Sequence, residues 1–566
     1  MQRDELTRNT ELRTAFDRRY NAMEQERLSF LPHWQEIADF INPRSALINS
    51  SINYNKGGKV NQNILDPTAT LAVRTLKSGL MAGLTSPSRP WFKLGTTNPD
   101  INKSAQIKTW FAQVESIMRE VFSRSNLYMV LPLIYGELAM PGTAAMCVLE
   151  DERHVLRFYP YQTGTYLIAM NDNMRCDTLY RKFSMSCQQI IQMFGEENCS
   201  DYVKAQWKAN QTQTQFEVCH VIEPNDDRKP MMVDARNKPF RSAYYETSAN
   251  TGKFLRLSGF DEFPVMAPRW DIFNANDAYG YSPAMDALGM IKGLQKEHKL
   301  KYEAIDKYVR PTKIADSSLR TQIISTIPNG ITYIDGLASN QHAGLRNLDQ
   351  NLPNIEHLMG DIGDVRALIR RCFFEDMMQM LAQSDNPEMT AREIEERHAE
   401  KVLVLGPVME RLNDELFDPL IDRSFNICLR RGLIPPPPQE VQGQTLKVEY
   451  TSIMAQAMKL MGIANIEKTA QFVGGMANIS PAALDKLDVD RAIDTYSEMQ
   501  GIDPRIIRTD DQVKGLRDIR AKQQQTAQMA SMAKPAESAA KAGKAMGETD
   551  PEQVKQLVAM MTGQAG

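Results

Sequence analysis

The residues best spaced for chemistry in this chain are two Glu-x-x-His pairs, Glu217-x-x-His220 and Glu395-x-x-His398. On a helix face that spacing supplies half of a di-iron carboxylate site, whose other half needs a second such pair and further glutamates on facing helices. Glu217 and His220 fall in a run that alternates like a strand, where residues three apart point to opposite faces. His398 lies on the apolar stripe of a long helical pattern, so a hydrogen-bonded packing role is expected there, and equally at His298. Cys219 and His220 pair a thiol with an imidazole, but strand neighbours diverge. Nucleotide chemistry lacks its phosphate cradle. Gly57-Gly58-Lys59 and Gly252-Lys253 miss the first glycine of a P-loop and the hydroxyl that should follow the lysine. The GxSxG, HExxH and GxGxxG patterns are absent. No catalytic residue, metal ligand or cofactor is expected, and the chain reads as a non-enzyme.

The remaining charged pattern is a row of lysines, Lys292, Lys296, Lys299 and Lys307, down one side of a helical segment. Such a row can face a polyanion. It can also be a solvated face, helped by Glu303 pairing with Lys299 and Lys307 at i,i+4.

These residues sit on long helices. Ser282-Pro283 is a cap followed by a first-turn proline, and a helix is expected from there to Arg310, with Ile291, Leu294, His298, Tyr302, Ile305 and Val309 on its apolar side. A second is expected over 354–382, with Leu358, Ile362, Val365, Ile369 and Phe373 on one stripe. About 40 residues rich in short strand-like runs lie between them, giving a stalk with a small module at its far end. Gln383, Ser384, Asp385, Asn386, Pro387, Glu388 and Met389 form a tight loop into the longest helical pattern of the chain. There Ala391, Ile394, His398, Val402, Leu405, Met409, Leu412, Leu416 and Leu420 recur at steps of three and four. Continuous from Thr390 to Arg430, that rod would be roughly 60 Å long. Gly406-Pro407 is read as its one break and a candidate kink.

Upstream, residues 5–41 read as helix and Asp66-Pro67 as an N-cap and first-turn pair. Between Gly142 and about Trp270 short strand-like runs alternate with turn residues. After Pro438, Leu446 to Tyr450 is a strand candidate, followed by short helices and then an Ala/Gln/Met/Lys-rich tail. The fold class is α+β and predominantly helical.

Composition narrows the function. The 566 residues are 42% hydrophobic and 24% charged, with a formal net charge of −4. A protein that grips nucleic acid through its phosphates shows a basic excess, and this one does not. Seven scattered cysteines without a CxxC pair fit reduced thiols better than a zinc ribbon or a disulfide framework. No signal peptide and no membrane span are expected.

Three stretches carry a family resemblance. MTAREIEERHAEKVLVLGPVMERLNDELFDPLIDRSFNICLRRGLIPPPP (389–438) resembles the long wing helix of portal proteins, the head-to-tail connectors of short-tailed bacteriophages. DPTATLAVRTLKSGLMAGLTSPSRPWFKL (66–94) is similar to that family's amino-terminal signature, and YGYSPAMDALGMIKGLQ (279–295) to the start of its first stem helix. The resemblance implies a ring, usually of twelve subunits, at one capsid vertex. It implies an α/β wing (1–280), a first stem helix (281–310), a small α/β clip (311–353) and a second stem helix (354–382). A tunnel loop (383–389), a long kinked wing helix with its return (390–445), a helical crown (446–525) and a flexible tail (526–566) complete the subunit. The partners implied are double-stranded DNA in the channel, the terminase large subunit, tail adaptor proteins, and capsid and scaffolding proteins. The implied location is the virion, with assembly in the host cytoplasm. A helical scaffold or capsid-assembly protein without a channel is the other reading.

Overall fold

The computed structural model describes residues 2–43, 64–98, 101–229, 231–232, 234–249, 252–274, 276–310, 313–314, 320, 346–347, 355–382, 404–443, 446–452, 469–476, 486–500, 508 and 512–525. Two compact units divide at residue 487.

The first unit is built around an antiparallel meander. Strands β1 (Phe92–Thr96), β2 (Ala145–Asp151), β3 (Val155–Tyr161), β4 (Tyr166–Met170), β5 (Cys176–Ser186), β6 (Gln215–Pro224), β7 (Phe240–Glu246), β8 (Arg256–Phe260) and β9 (Val265–Met266) follow in chain order. Five of them pair consecutively as β4-β5-β6-β7-β8, and three as β3-β2-β9. Period-two alternation assigns the two faces of the larger sheet. Tyr180, Cys219, Val221, Ala243 and Tyr245 turn to one side, where helix α1 (Gln2–Leu28) lays Phe16, Tyr20 and Met23 against them. The Phe16 ring stacks on Tyr245 at 6.3 Å and meets Tyr180 edge-on at 6.2 Å.

The expected helix at 5–41 is two helices. Helix α2 (Leu31–Ile41) starts anew after Ser29-Phe30, because Pro32 in its first turn has no N–H to continue the ladder from α1. Trp34, Ile37, Ala38 and Ile41 are all buried, as their spacing predicts. Trp34, Ile37 and Ile41 join the main core with α3 (Thr68–Leu84), α4 (Ala105–Arg124) and α5 (Leu127–Ala139). On the sheet's other side, Ser186 closes a capping box with Gln189 at the start of α6 (Cys187–Phe194). Helix α7 (Asp201–Lys208) follows it.

Three sequence expectations change. Leu446–Tyr450, assigned from sequence to the crown, forms a strand whose full length pairs antiparallel with β1, from Phe92↔Tyr450 to Thr96↔Leu446. The two strands form a sheet of their own, and the strand lies in the first unit. The helix expected at 354–382 is broken into α9 (Ile355–Cys372) and α10 (Glu375–Ala382), after α8 (Pro283–Val309). Phe374 turns the chain with φ 56°, and the turn lets Phe373 bury completely while Met377 and Met378 of α10 reach the same core. Gly79 of α3 makes room for Met378, whose side chain would collide with any Cβ placed there.

The third change concerns the long rod. Residues 390–403 lie outside the described residues. From there the helix runs as α11 (Gly406–Leu412), a π turn at Asn413–Phe417, and α12 (Asp418–Arg430). Gly406-Pro407 opens α11, so a kink relative to what precedes it is untested, and it is not the sole irregularity. Pro419 cannot donate to the Glu415 carbonyl and its ring would crowd a tight turn. The wider turn absorbs this, with Asp418 N–H donating to the Asn413 carbonyl five residues back.

The π turn also aims Glu415 inward. Its carboxylate accepts from the Arg269 main-chain N–H (2.8 Å), from Nε (3.1 Å) and from Nη2 (2.5 Å). Arg269, 1% exposed, spends its remaining donors on the Asp277 (2.6 Å) and Met174 (3.0 Å) carbonyls. Arg423 of α12 binds the Val148 carbonyl (2.9 Å) and Glu262 (3.1 Å), tying the same helix to the smaller sheet.

In the second unit, α13 (Val489–Gln500) and a helical segment at 512–525 are joined by a bidentate Arg517–Asp490 pair at 2.6 and 2.7 Å. These match helices expected at 488–500 and 511–525. Residues 526–566 lie outside the described residues.

Arg269→Ala strands a buried carboxylate and two carbonyls, and should cost about 3–5 kcal/mol. The double replacement Arg269→Met, Glu415→Met should cost less than either single change. Urea unfolding of wild type, Arg269→Ala, the two single methionine variants and the double variant checks both statements.

Candidate functional site

The candidate site is the helix pair that carries the lysine row. Ser282 caps α8 by accepting from the Met285 N–H, with Pro283 in the first turn, as its sequence dictates. Its hydroxyl also donates to the Met140 carbonyl, fixing the helix start against α5. Helix α9 runs antiparallel to α8: Asp286 lies near Cys372, and Glu297 near Asp361. Between them, Lys313–Ile314 (β10) pairs antiparallel with Arg346–Asn347 (β11). The two ends of the segment at 311–353 are thus held together, while most of its length lies outside the described residues.

The pair is fastened to the body at Asp66. This aspartate is 1% exposed, and its Oδ1 accepts from the Thr68 N–H at 2.8 Å. Its Oδ2 receives Arg366 Nε of α9 at 2.8 Å and lies 2.8 Å from His298 Nε2 of α8. Gln295 completes the knot. Its Oε1 accepts from the Leu65 and Asp66 N–H groups at 2.7 and 2.9 Å, and its Nε2 donates to the Asp66 carbonyl at 2.9 Å. Arg366 Nη2 lies 3.2 Å from the same histidine nitrogen. Nε2 cannot both donate and accept. The nearby carboxylate favours the Nε2–H tautomer, which leaves Nδ1 buried with no hydrogen-bond partner among the described residues.

Burial pushes the Asp66 carboxyl up, but hydrogen bonds from Thr68 and Arg366 outweigh it and hold the group below the ordinary aspartate value. Burial also depresses His298, with Asp66 opposing and Arg366 and Lys301 reinforcing, so the imidazole stays neutral.

Lys292, Lys296, Lys299 and Lys307 are all exposed on α8, away from Ile291, Leu294 and His298. Lys292 pairs with Glu36 of α2. The loop residues Gln383 to Met389, and Glu395 with His398, lie outside the described residues. His220 sits on the sheet face opposite Cys219, as alternation predicts. Its Nε2 is 3.0 Å from the Ser242 hydroxyl and its ring stacks on Tyr244 at 3.8 Å. Burial and the two arginines Arg181 and Arg256 lower its pKa to about 3, which leaves it no acid–base role near neutrality. Among the described residues no three His, Cys, Asp or Glu side chains gather as metal ligands, and no helix is long and apolar enough to cross a membrane.

The sequence reading placed Asp66 as a cap and His298 as packing, and missed that they meet. The available signal was Gln295 beside His298 on an otherwise apolar stripe.

Comparison with known proteins fixes the family. Residues 13–507 match the model of the bacteriophage head to tail connecting proteins. The chain belongs to this family. It is 44% identical over 507 residues to the portal protein of Salmonella phage epsilon15, covering 89% of this chain and 90% of that protein. It is 41% identical over 510 residues to a probable portal protein of Bordetella phage BPP-1, covering 90% and 91%. A solved structure of the neck of an empty GTA particle aligns over 71% of the chain and 86% of its own, at 10% identity and a TM-score of 0.34, too remote to bear on the fold.

For this connector-family chain, Asp66→Asn should remove the Arg366 ion pair and lower the thermal midpoint at pH 7. Asp66 has a depressed folded pKa, so its contribution is full above the unfolded value of about 3.9. It is lost as pH falls through the folded value. The gap between wild type and variant should therefore narrow below about pH 4. A melting series in pH checks it.

Proposed function

We propose that the chain is the portal subunit of a tailed phage, assembling as a ring at one capsid vertex through which double-stranded DNA is packaged and ejected. The observation that carries this is the identity of 41–44% over about nine-tenths of the chain with two proteins named as portals. Geometry supports it through the antiparallel pair α8–α9 with an inserted module between them.

The isolated chain also leaves apolar side chains uncovered along this pair. Tyr302, Ile305, Tyr308 and Val309 on α8 and Met359 and Leu368 on α9 are 37–67% exposed. Exposed apolar surface of this kind marks a subunit interface, and neighbouring copies in a ring of twelve would cover it. In this reading α8 and α9 form the stem, 311–353 the clip that receives the terminase large subunit and later tail adaptors, and 383–389 the tunnel loop. Capsid and scaffolding proteins meet the wing, and the unit from residue 488 lies in the crown. Lys292, Lys296, Lys299 and Lys307 face DNA. A sparse row steers the duplex without the dense phosphate neutralisation that would retard sliding. The motor's ATP chemistry resides in the terminase.

Negative-stain images of the purified protein should show rings with a central hole; filaments or monomers would refute the reading. Lys296→Ala, Lys299→Ala rings should assemble normally yet package with a weaker dependence on salt. Unchanged packaging at every salt concentration would remove these lysines from the channel. Shortening 383–389 should spare ring assembly and impair DNA retention, read as genome loss from filled heads.

A further inference from the structure

Helix α9 meets the body along a narrow seam. Ile362, Ile369 and Phe373 are buried, and Arg366 is the charged residue set between them on the same face. From Glu356 to Asp361 only Leu358 is half-buried and the rest are exposed, so Ile362 and Arg366 hold this end of the helix. The far end is fixed differently. There the chain turns at Phe374 into α10, whose Met378 packs against Gly79 of α3.

Arg366 and His298 crowd one oxygen. Asp66 Oδ2 lies 2.8 Å from both Nε and Nη2 of Arg366 and 2.8 Å from His298 Nε2. Arg366 Nη2 is 3.2 Å from that same imidazole nitrogen. A protonated His298 would set a second positive charge against Arg366, where one carboxylate offsets only one. Its added proton would sit on Nδ1, which is buried with no hydrogen-bond partner among the described residues. The clasped arrangement therefore excludes the imidazolium. Burial first, with Arg366 and Lys301 reinforcing, holds His298 below the ordinary histidine value against the pull of Asp66. Tyr302 of α8 meets the ring edge-on at 6.1 Å. The other charges nearby are engaged elsewhere: Glu297 lies near Asp361 of α9, and Lys292 pairs with Glu36 of α2. Arg366 has somewhere to go, because its side chain is 39% exposed. With Arg366 swung into solvent, Asp66 keeps only His298 to offset it, and an opposite charge at this range favours the protonated ring.

We propose that His298 and Arg366 exchange at Asp66: uptake of one proton from solvent by His298 releases Arg366, and with it the first three turns of α9 from α8. Water admitted by the release accepts from the new Nδ1–H. Linkage sets the direction. The clasped form holds the histidine pKa below that of the released form, so the clasp is favoured at high pH. That advantage is lost as pH falls through the released-form value, about 6.5 or above. Asp66 stays ionised across this window, because its hydrogen bonds from Thr68 and Arg366 hold it below the ordinary aspartate value and the histidine replaces the arginine. The exchange stands whether or not the chain forms a ring.

The test is hydrogen–deuterium exchange of the full-length protein, corrected for the intrinsic effect of pH on exchange and read on peptides covering 355–366. Protection there should fall about tenfold between roughly pH 7.5 and 5.5, while peptides from β5 and β6 keep theirs. His298→Gln keeps a donor for Asp66 but takes no proton, and should show no such fall. A second arm leaves His298 in place and follows its titration by histidine C2 exchange and mass spectrometry. Arg366→Gln should raise that midpoint by about one pH unit. Protection of 355–366 that ignores pH in wild type, an equal fall in His298→Gln, or an unmoved midpoint in Arg366→Gln overturns the exchange.

Discussion

Asp66 holds its charge where solvent does not reach, and three separate parts of the chain meet there to compensate it. Its neighbour Thr68 begins α3, Gln295 and His298 project from α8, and Arg366 comes from α9. An ionised carboxylate removed from water costs several kcal/mol unless its oxygens are fully partnered. The compensation is therefore obligatory, and it fixes the depth and rotation of both long helices against the body. Apolar contacts such as Ile291 or Ile369 with their neighbours tolerate small slides. A carboxylate with two specified donors does not.

The same logic recurs at Arg269 and Glu415, and at Arg423 with the Val148 carbonyl and Glu262. Each joins the broken rod of α11 and α12 to a sheet or to the loop before α8. The rod's irregularity is part of this fit. Pro419 forces the wide turn, and the wide turn places Glu415 on the inner side. Buried directional pairs fasten long helices to a sheet-rich body more rigidly than apolar contact does.

Much of this was legible in the sequence. Ser282-Pro283 marked the start of α8, and the stripe of α2 and the first half of the α8 stripe (Ile291, Leu294 and His298) named buried residues. Tyr302, Ile305 and Val309 further along α8 are exposed. Periodicity and caps are decided within a turn or two, and burial is not. Alternation placed Cys219 and His220 on opposite faces before any pairing was known. The breaks were less legible. Nothing near Phe373-Phe374 is a helix breaker, and the turn follows from the demand to bury residues of both α9 and α10 in one core. Pro32 and Pro419 were readable signals that the length of the apolar patterns concealed.

The sequence by itself determined the kinds of element, their order, the absence of nucleotide and hydrolase motifs, and the stretches that resemble connector proteins. These depend on neighbours within a few residues, or on stretches read whole. The tertiary structure decided which distant groups share a charge: Asp66 with Arg366, 300 residues apart, Arg269 with Glu415, and β1 with the strand at Leu446–Tyr450. Such pairings carry no local signature, because the chain between the partners is free to vary and only the folded path brings them within hydrogen-bond reach.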